Sequence, residues 1–199
     1  MAFVETSSDT PSNRERWNHL LAIVTAVVLF AIGVNLRDSA IYASTPYNNL
    51  EAGIRVEYPR NWLIDTADRY ILRVRDLSGM GFKTTLQISL QPVGAETSYR
   101  TIFDGLTLNR SQILAAYREL SRDDEFLLPN EVAAASMSYT YADLQNDPFQ
   151  QAIPSVVRGT DVVVIRRGQA IIITFLADAS SYQNDLPYFD RFLRSLDFQ

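Results

Sequence analysis

The chain has 199 residues, no cysteine, a single histidine (His19) and a formal net charge of −5. Without cysteine there are no disulfides, no thiol chemistry, no Cys-ligated metal and no lipoprotein anchor. With the sole histidine at position 19, Ser-His-Asp and Cys-His catalysis and ordinary His or Cys zinc sites are excluded from everything C-terminal to it.

Residues 1–16 contain several Ser and Thr, one Pro and no hydrophobic period, the composition of a flexible tail. Trp17–Leu36 follows, with no charged residue and almost wholly apolar from Leu20 onward. About twenty helical residues at roughly 1.5 Å each span a hydrocarbon core of about 30 Å, so the segment is expected to be a transmembrane helix. Helix is the only form that satisfies every backbone group within a single span. Trp17 suits the headgroup layer at one edge, and Arg14 and Arg16 precede the span while Arg37, beside Asp38, follows it. That bias favours a cytoplasmic N-terminus, with the rest of the chain on the periplasmic or lumenal side. A cleaved signal peptide is the rival reading. Its cleavage site is poor, because Leu36, Arg37 and Asp38 follow the apolar stretch and Ile41-Tyr42-Ala43 lacks a small first residue. Ala22, Ala26, Leu29 and Gly33 share one helical face, a candidate packing surface for other membrane helices, although Ala and Gly are common in such segments.

Residues 37–49, with Ser44, Thr45, Pro46 and two Asn, read as a tether, leaving 50–199 as one exported domain. From residue 45 onward fifteen Arg plus Lys face nineteen Asp plus Glu, which gives no electrostatic footprint for nucleic acid or for an anionic membrane surface. Ile54, Val56 and Tyr58 alternate with Arg55 and Glu57 in a half-buried strand. A Pro59-Arg60-Asn61 turn then leads to Trp62-Leu63-Ile64 as its expected hairpin partner. Further strands are expected around Tyr70, Leu72 and Val74, and around Leu86, Ile88 and Leu90. Thr107 or Asn109 is expected to cap a helix carrying Ile113, Ala116, Tyr117 and Leu120 at i, i+3, i+4 and i+7. Ala133, Ala135, Met137, Tyr139 and Tyr141 form one face of an extended segment, and a break follows at Asn146-Asp147-Pro148. Val162–Ile165 and Ala170–Phe175 flank Arg166-Arg167-Gly168-Gln169 as a hairpin at the centre of a covered sheet. Ser180 or Ser181 caps a final helix with Leu186, Phe189, Phe192, Leu193 and Leu196 inward. The class is α+β, an antiparallel sheet covered by helices.

The stretch Gly53-Ile54-Arg55-Val56-Glu57-Tyr58-Pro59-Arg60-Asn61-Trp62, the segment from Gly168-Gln169-Ala170 to Phe175, and the ending Phe192-Leu193-Arg194-Ser195-Leu196-Asp197-Phe198 resemble the PsbP-like (Mog1/PsbP) domain family over residues 46–198. The resemblance implies an α/β/α sandwich with a central antiparallel sheet. It also implies a non-catalytic accessory domain of the kind found on the lumenal side of photosynthetic membranes. The anchor departs from the family's cleaved targeting peptide or lipidated Cys, and no functional residue carries over.

No constellation for chemistry stands out. Gly79-Met80-Gly81 lacks the third glycine and helix of a phosphate loop. Asp123, Asp124 and Glu125 read as solvated loop charge, and Asp143 to Asp147 lacks the calcium-loop spacing. Arg73, Arg75, Arg166 and Arg167 make a candidate partner patch if their strands are neighbours, against ordinary ion pairs on an outward face. Trp62, Tyr139, Tyr141 and Tyr188 read as core aromatics. The expectation is therefore an accessory, stabilising or assembly subunit of a larger photosynthetic or respiratory membrane complex, with integral membrane subunits as partners. No enzyme activity, cofactor, metal or small-molecule substrate is expected. The alternative is a membrane-tethered module that binds a ligand between sheet and helix.

Overall fold

The computed structural model describes residues 13–41, 43–50, 52–65, 70–79, 81–144 and 154–199, in two units that divide after Ala43. Most of the sequence-predicted tail and the break at Asn146-Asp147-Pro148 lie outside the described residues. The first unit contains helix α1, Asn13–Ile41, which continues beyond the apolar segment at both ends. Its stretch Arg16–Ser39 is long and apolar enough to cross a membrane and is exposed among the described residues, properties shared by anchors and signal sequences.

The second unit opens with β1, Ser44–Asn49, paired antiparallel to β2, Ile54–Pro59. Sequence reading placed β1 in the tether. Its period of two is carried by half-buried Thr45, Tyr47 and Asn49, polar or amphipathic residues that conceal the alternation. Gly53 turns the chain at φ 61°, and the Asn49 side-chain oxygen accepts from the Ala52 N–H at 2.9 Å. The last strand, β10 (Asp197–Phe198), pairs with the other edge of β2 and completes a three-stranded sheet.

Trp62 donates its N–H to Pro59 O at 3.0 Å, closing a turn that carries the chain out of this sheet. Strand β3, Leu63–Ile64, therefore pairs with β4 (Leu72–Arg75) rather than with β2 as the hairpin reading expected. Trp62 itself is core, its ring tilted against that of Tyr188 with 5.5 Å between centroids. The main sheet continues through β5 (Thr85–Pro92), β6 (Ala115–Asp123), β7 (Ala135–Asp143), β8 (Ser155–Arg166) and β9 (Gln169–Asp178). Its seven strands are antiparallel in the order β3-β4-β5-β9-β8-β7-β6. The β8–β9 hairpin is central, as its unbroken β-branched runs require. Arg167 (φ 50°) and Gly168 (φ 72°) both take the left-handed conformation of a two-residue hairpin turn whose twist matches the strands.

Helix α2 spans Tyr99–Ile113, starting earlier than expected. Ser98 caps it, its hydroxyl accepting from the Thr101 N–H at 3.3 Å. Ala116, Tyr117 and Leu120 belong to β6 instead. Ala116 has φ 51°, and the register shifts between Ala115 and Arg118 and again between Glu119 and Ser121. These bulges interrupt the period of two, leaving apolar residues at a spacing that imitates a helix.

One face of the main sheet, through residues such as Leu86, Ile88, Ile173 and Phe175, packs against the small sheet and helix α3, Tyr182–Ser195. Phe175 stacks on Phe189 at 5.1 Å. The other face, with Met137, Tyr139, Val157 and Val163, is covered by Ile102 and Phe103 of α2. The layers make an α/β/α sandwich, with a three-stranded sheet sharing the α3 layer.

Candidate functional site

The four arginines proposed as a patch fall into two pairs. On β4, Leu72 and Val74 enter the core, so Arg73 and Arg75 take the opposite face. Both reach Asp65, at 3.6 and 3.0 Å, and Arg73 also lies 5.0 Å from the Tyr70 ring centroid. They form ion pairs local to that edge. Arg166 and Arg167 occupy the β8–β9 turn. The ladder aligns Arg73 with Gln87 and Thr174, well up β9 from that turn, so the four do not converge.

Arg166 instead forms a wall of an open cleft of about 450 Å³ with Tyr99, Asn130, Ala133, Asp197 and Phe198. Its guanidinium stands 5.3 Å from the Phe198 ring centroid and donates to Phe198 O at 3.4 Å. Among the described residues no carboxylate forms an ion pair with it. Asn130 donates its side-chain N–H to Leu196 O at 3.1 Å, tying the β6–β7 connection to the residue that caps α3 and precedes β10. Its neighbour Glu131 takes φ 62°, a conformation that costs a non-glycine residue about 1 kcal/mol or more. A smaller recess of about 30 Å³ lies on the other side, between Gly53, Arg167 and Gln199. Sequence reading reached Arg166 and Arg167 but not Asn130 or Phe198, which a long connection and a two-residue strand bring in.

A second polar cluster lies under α2. Asp161, fully buried on β8, receives both terminal guanidinium nitrogens of Arg110, and Thr174 Oγ1 donates to it at 2.8 Å. The Arg110 guanidinium also stands 4.3 Å from the Tyr139 ring centroid. Burial opposes the arginine's charge, but the Asp161 carboxylate and its hydrogen bond outweigh burial and push the arginine pKa up. This arrangement fastens α2 to the sheet. Its sequence signal was the lone acid beside the run Val162–Ile165.

Tyr139 and Tyr141 beside it have pKa values raised above the ordinary 10.0. Burial is the main cause in both, with the negative charge of Asp161 next for Tyr139 and that of Asp143 for Tyr141. An unfolded chain releases these phenolic protons near pH 10 while the folded chain retains them. Their contribution is thus complete below about pH 10 and is lost as pH rises toward the folded-state titrations. Urea unfolding is expected to show stability falling by up to about 1.4 kcal/mol per pH unit for each tyrosine above that point. Tyr139→Phe is expected to reduce the slope; an unchanged slope would assign the alkaline loss to other groups.

Among the described residues no group of three or more acidic side chains or histidine is arranged to hold a metal. Ala22, Ala26, Leu29 and Gly33 are exposed on α1, and an added Cβ at Gly33 would meet nothing within 4 Å among the described residues.

No family model matches the sequence, and no curated protein matches it. Solved structures do match in shape. The solution structure of cyanobacterial PsbP (CyanoP) from Synechocystis sp. PCC 6803 superposes with a TM-score of 0.53 at 12% identity, covering 80% of this chain and 94% of that one. The domain has a PsbP/Mog1-like fold. The Saccharomyces cerevisiae Ran-binding protein Mog1p agrees at TM-score 0.51 and 10% identity, over 79% of this chain and 96% of its own. LpqN of Mycobacterium tuberculosis, involved in cell envelope biogenesis, agrees at 0.51 and 12%, over 79% and 91%. At such identities the PsbP/Mog1-like likeness concerns the fold alone.

Proposed function

We propose that this chain is a non-catalytic accessory, stabilising or assembly subunit of a larger integral membrane complex of photosynthetic or respiratory type. The observation that carries the reading is the joining of α1, span-length and unburied, to a PsbP/Mog1-like domain whose sheet is packed on both faces. Its span takes the single-pass topology set by Arg14 and Arg16, placing the domain on the periplasmic or lumenal side. Among the proteins of similar fold, the Ran-binding Mog1p supports a use in protein interaction, and LpqN, involved in cell envelope biogenesis, supports a role at a membrane.

Purification of the full-length chain from its native membrane in mild detergent, followed by native gel and mass spectrometry, is expected to recover a larger assembly in fixed stoichiometry. In the same preparation Ala26→Leu with Gly33→Leu is expected to lower partner recovery several-fold, because bulk on that face prevents close helix approach. Full recovery with both replacements would place the contact on the domain. Migration as a lone monomer would overturn the subunit reading. The cleft at Arg166 supports a second reading, a membrane-tethered ligand-binding module, which such a monomer would bring forward.

A further inference from the structure

Exposed aliphatic side chains collect at one end of the domain, the end where the chain enters it. The entry residue Ser44 lies opposite Pro59, the turn at Pro59 leads directly into Leu63, and Leu63 lies opposite Arg75 at the start of the connection that carries Leu77. Following the ladder from Arg75 through Thr85 to Leu176 and up β9 to Asp178 reaches Val157 and its neighbour Val156. Val156 pairs with Ala142, which also faces Ala115, just past Ile113; Leu144 follows the same end of β7. Leu63, Leu77, Ile113, Leu144 and Val156 are between 49 and 69% exposed. Among the described residues the opposite end, marked by the Arg166–Arg167 turn and the Gly53 turn, carries the polar cleft and the exposed aliphatics Leu50 and Leu127, while Leu108 on α2 and Leu120 on β6 are exposed between the two ends.

Chain length decides what covers the aliphatic end. Seven residues separate Leu36, where the apolar segment of α1 ends, from Ser44. Even fully extended they reach roughly 28 Å. An anchored chain therefore holds its Ser44 end beside the bilayer, at the high effective concentration of a short tether, where weak apolar contacts become populated. Scattered aliphatics in bulk water need no explanation, but five at the end that the tether returns to the interface have an apolar phase at hand.

We propose that the Ser44 end of the domain rests on the lipid surface, Leu63, Ile113 and Val156 entering the interfacial layer, while the Arg166 cleft at the other end stays open to water. The occupant is lipid rather than protein, and the excess of acidic groups in the domain makes the contact apolar, independent of anionic headgroups. This inference rests on the anchor reading, and the test separates the two.

Because the native chain has no cysteine, each position can be labelled singly. Full-length Val28→Cys, Leu63→Cys, Ile113→Cys, Val156→Cys and Arg167→Cys variants would carry one environment-sensitive fluorophore each, in palmitoyl-oleoyl phosphatidylcholine vesicles with a headgroup-nitroxide lipid quencher. The expected result is blue-shifted emission and at least two-fold quenching at positions 63, 113 and 156, with water-like emission and no quenching at 167. Lipid shielding at position 28 with positions 63, 113 and 156 as water-like as 167 would overturn the inference and leave the anchor intact. Absence of shielding at position 28 would overturn both. Quenching that appears only when phosphatidylglycerol is added would overturn the apolar contact in favour of an electrostatic one.

Discussion

Arg110→Ala is expected to lower the unfolding free energy by about 3–5 kcal/mol, because it leaves the Asp161 carboxylate buried without its counter-charge. For a domain of this size that is a fall in Tm of roughly 10 °C. Near-ultraviolet circular dichroism of the detergent-solubilised chain would follow it through the aromatics that Arg110 touches. The loss is larger than any surface ion pair would produce. Asp65 with Arg73 and Arg75 remains partly open to water, so Asp65→Ala is expected to cost about 1 kcal/mol or less. Arg110→Lys keeps the charge but loses the two-pronged geometry and the contact over Tyr139, and should fall between native and Arg110→Ala. The decisive variant removes the whole cluster. Arg110→Met, Asp161→Leu and Thr174→Val together leave no buried polar group unpartnered, so the triple variant should be more stable than Arg110→Ala alone. A triple variant less stable than Arg110→Ala would mean that the pair contributes more than its own satisfaction, for instance by fixing where α2 sits on the sheet.

The same cluster shows where sequence reading stops. The central hairpin was legible because Val162–Ile165 and Ala170–Phe175 are covered on both faces and so remain apolar without interruption. Strands β4 and β5 and helix α3 were legible because single periods persist through them. Strand β1 was missed because an edge strand in a small sheet has little to bury. Strand β6 was read as helix because two bulges changed its period. Both errors are local irregularities that tertiary pairing supports. The candidate site was less legible for a related reason. Arg166 and Arg167 announced themselves as charges in a hairpin turn, but the cleft's other walls come from Tyr99, Asn130 and Phe198, remote in sequence. Nothing in a local pattern ties Asn130 to Leu196 O; only the return of β10 beside β2 does so.

Gly159→Ala is expected to be the second most damaging small change, at about 1–3 kcal/mol, despite adding one methyl group. Gly159 lies directly opposite Tyr139 across the β7–β8 ladder, and the tyrosine ring folds over the space that a side chain would fill. A Cβ built there comes within 2.6 Å of Tyr139 Cε2 and 2.7 Å of Oη. The ring cannot easily retreat, because Arg110 stands over it, fixed by Asp161, and Tyr117 lies 5.5 Å away between centroids. Glycine in mid-strand normally weakens a sheet, and here the aromatic ring opposite restores the lost packing. If that account is right, the penalty depends on the ring. In a Tyr139→Leu background the added methyl group should cost much less than in the native chain, giving a coupling of about 1 kcal/mol or more in a double-mutant cycle of urea unfolding. Equal costs in the two backgrounds would refute the steric account and trace the loss to the β8 backbone. The coupling should also extend to Arg110. A ring displaced by the methyl group loses its place under the guanidinium, so Gly159→Ala and Arg110→Ala together should destabilise by less than the sum of the two alone.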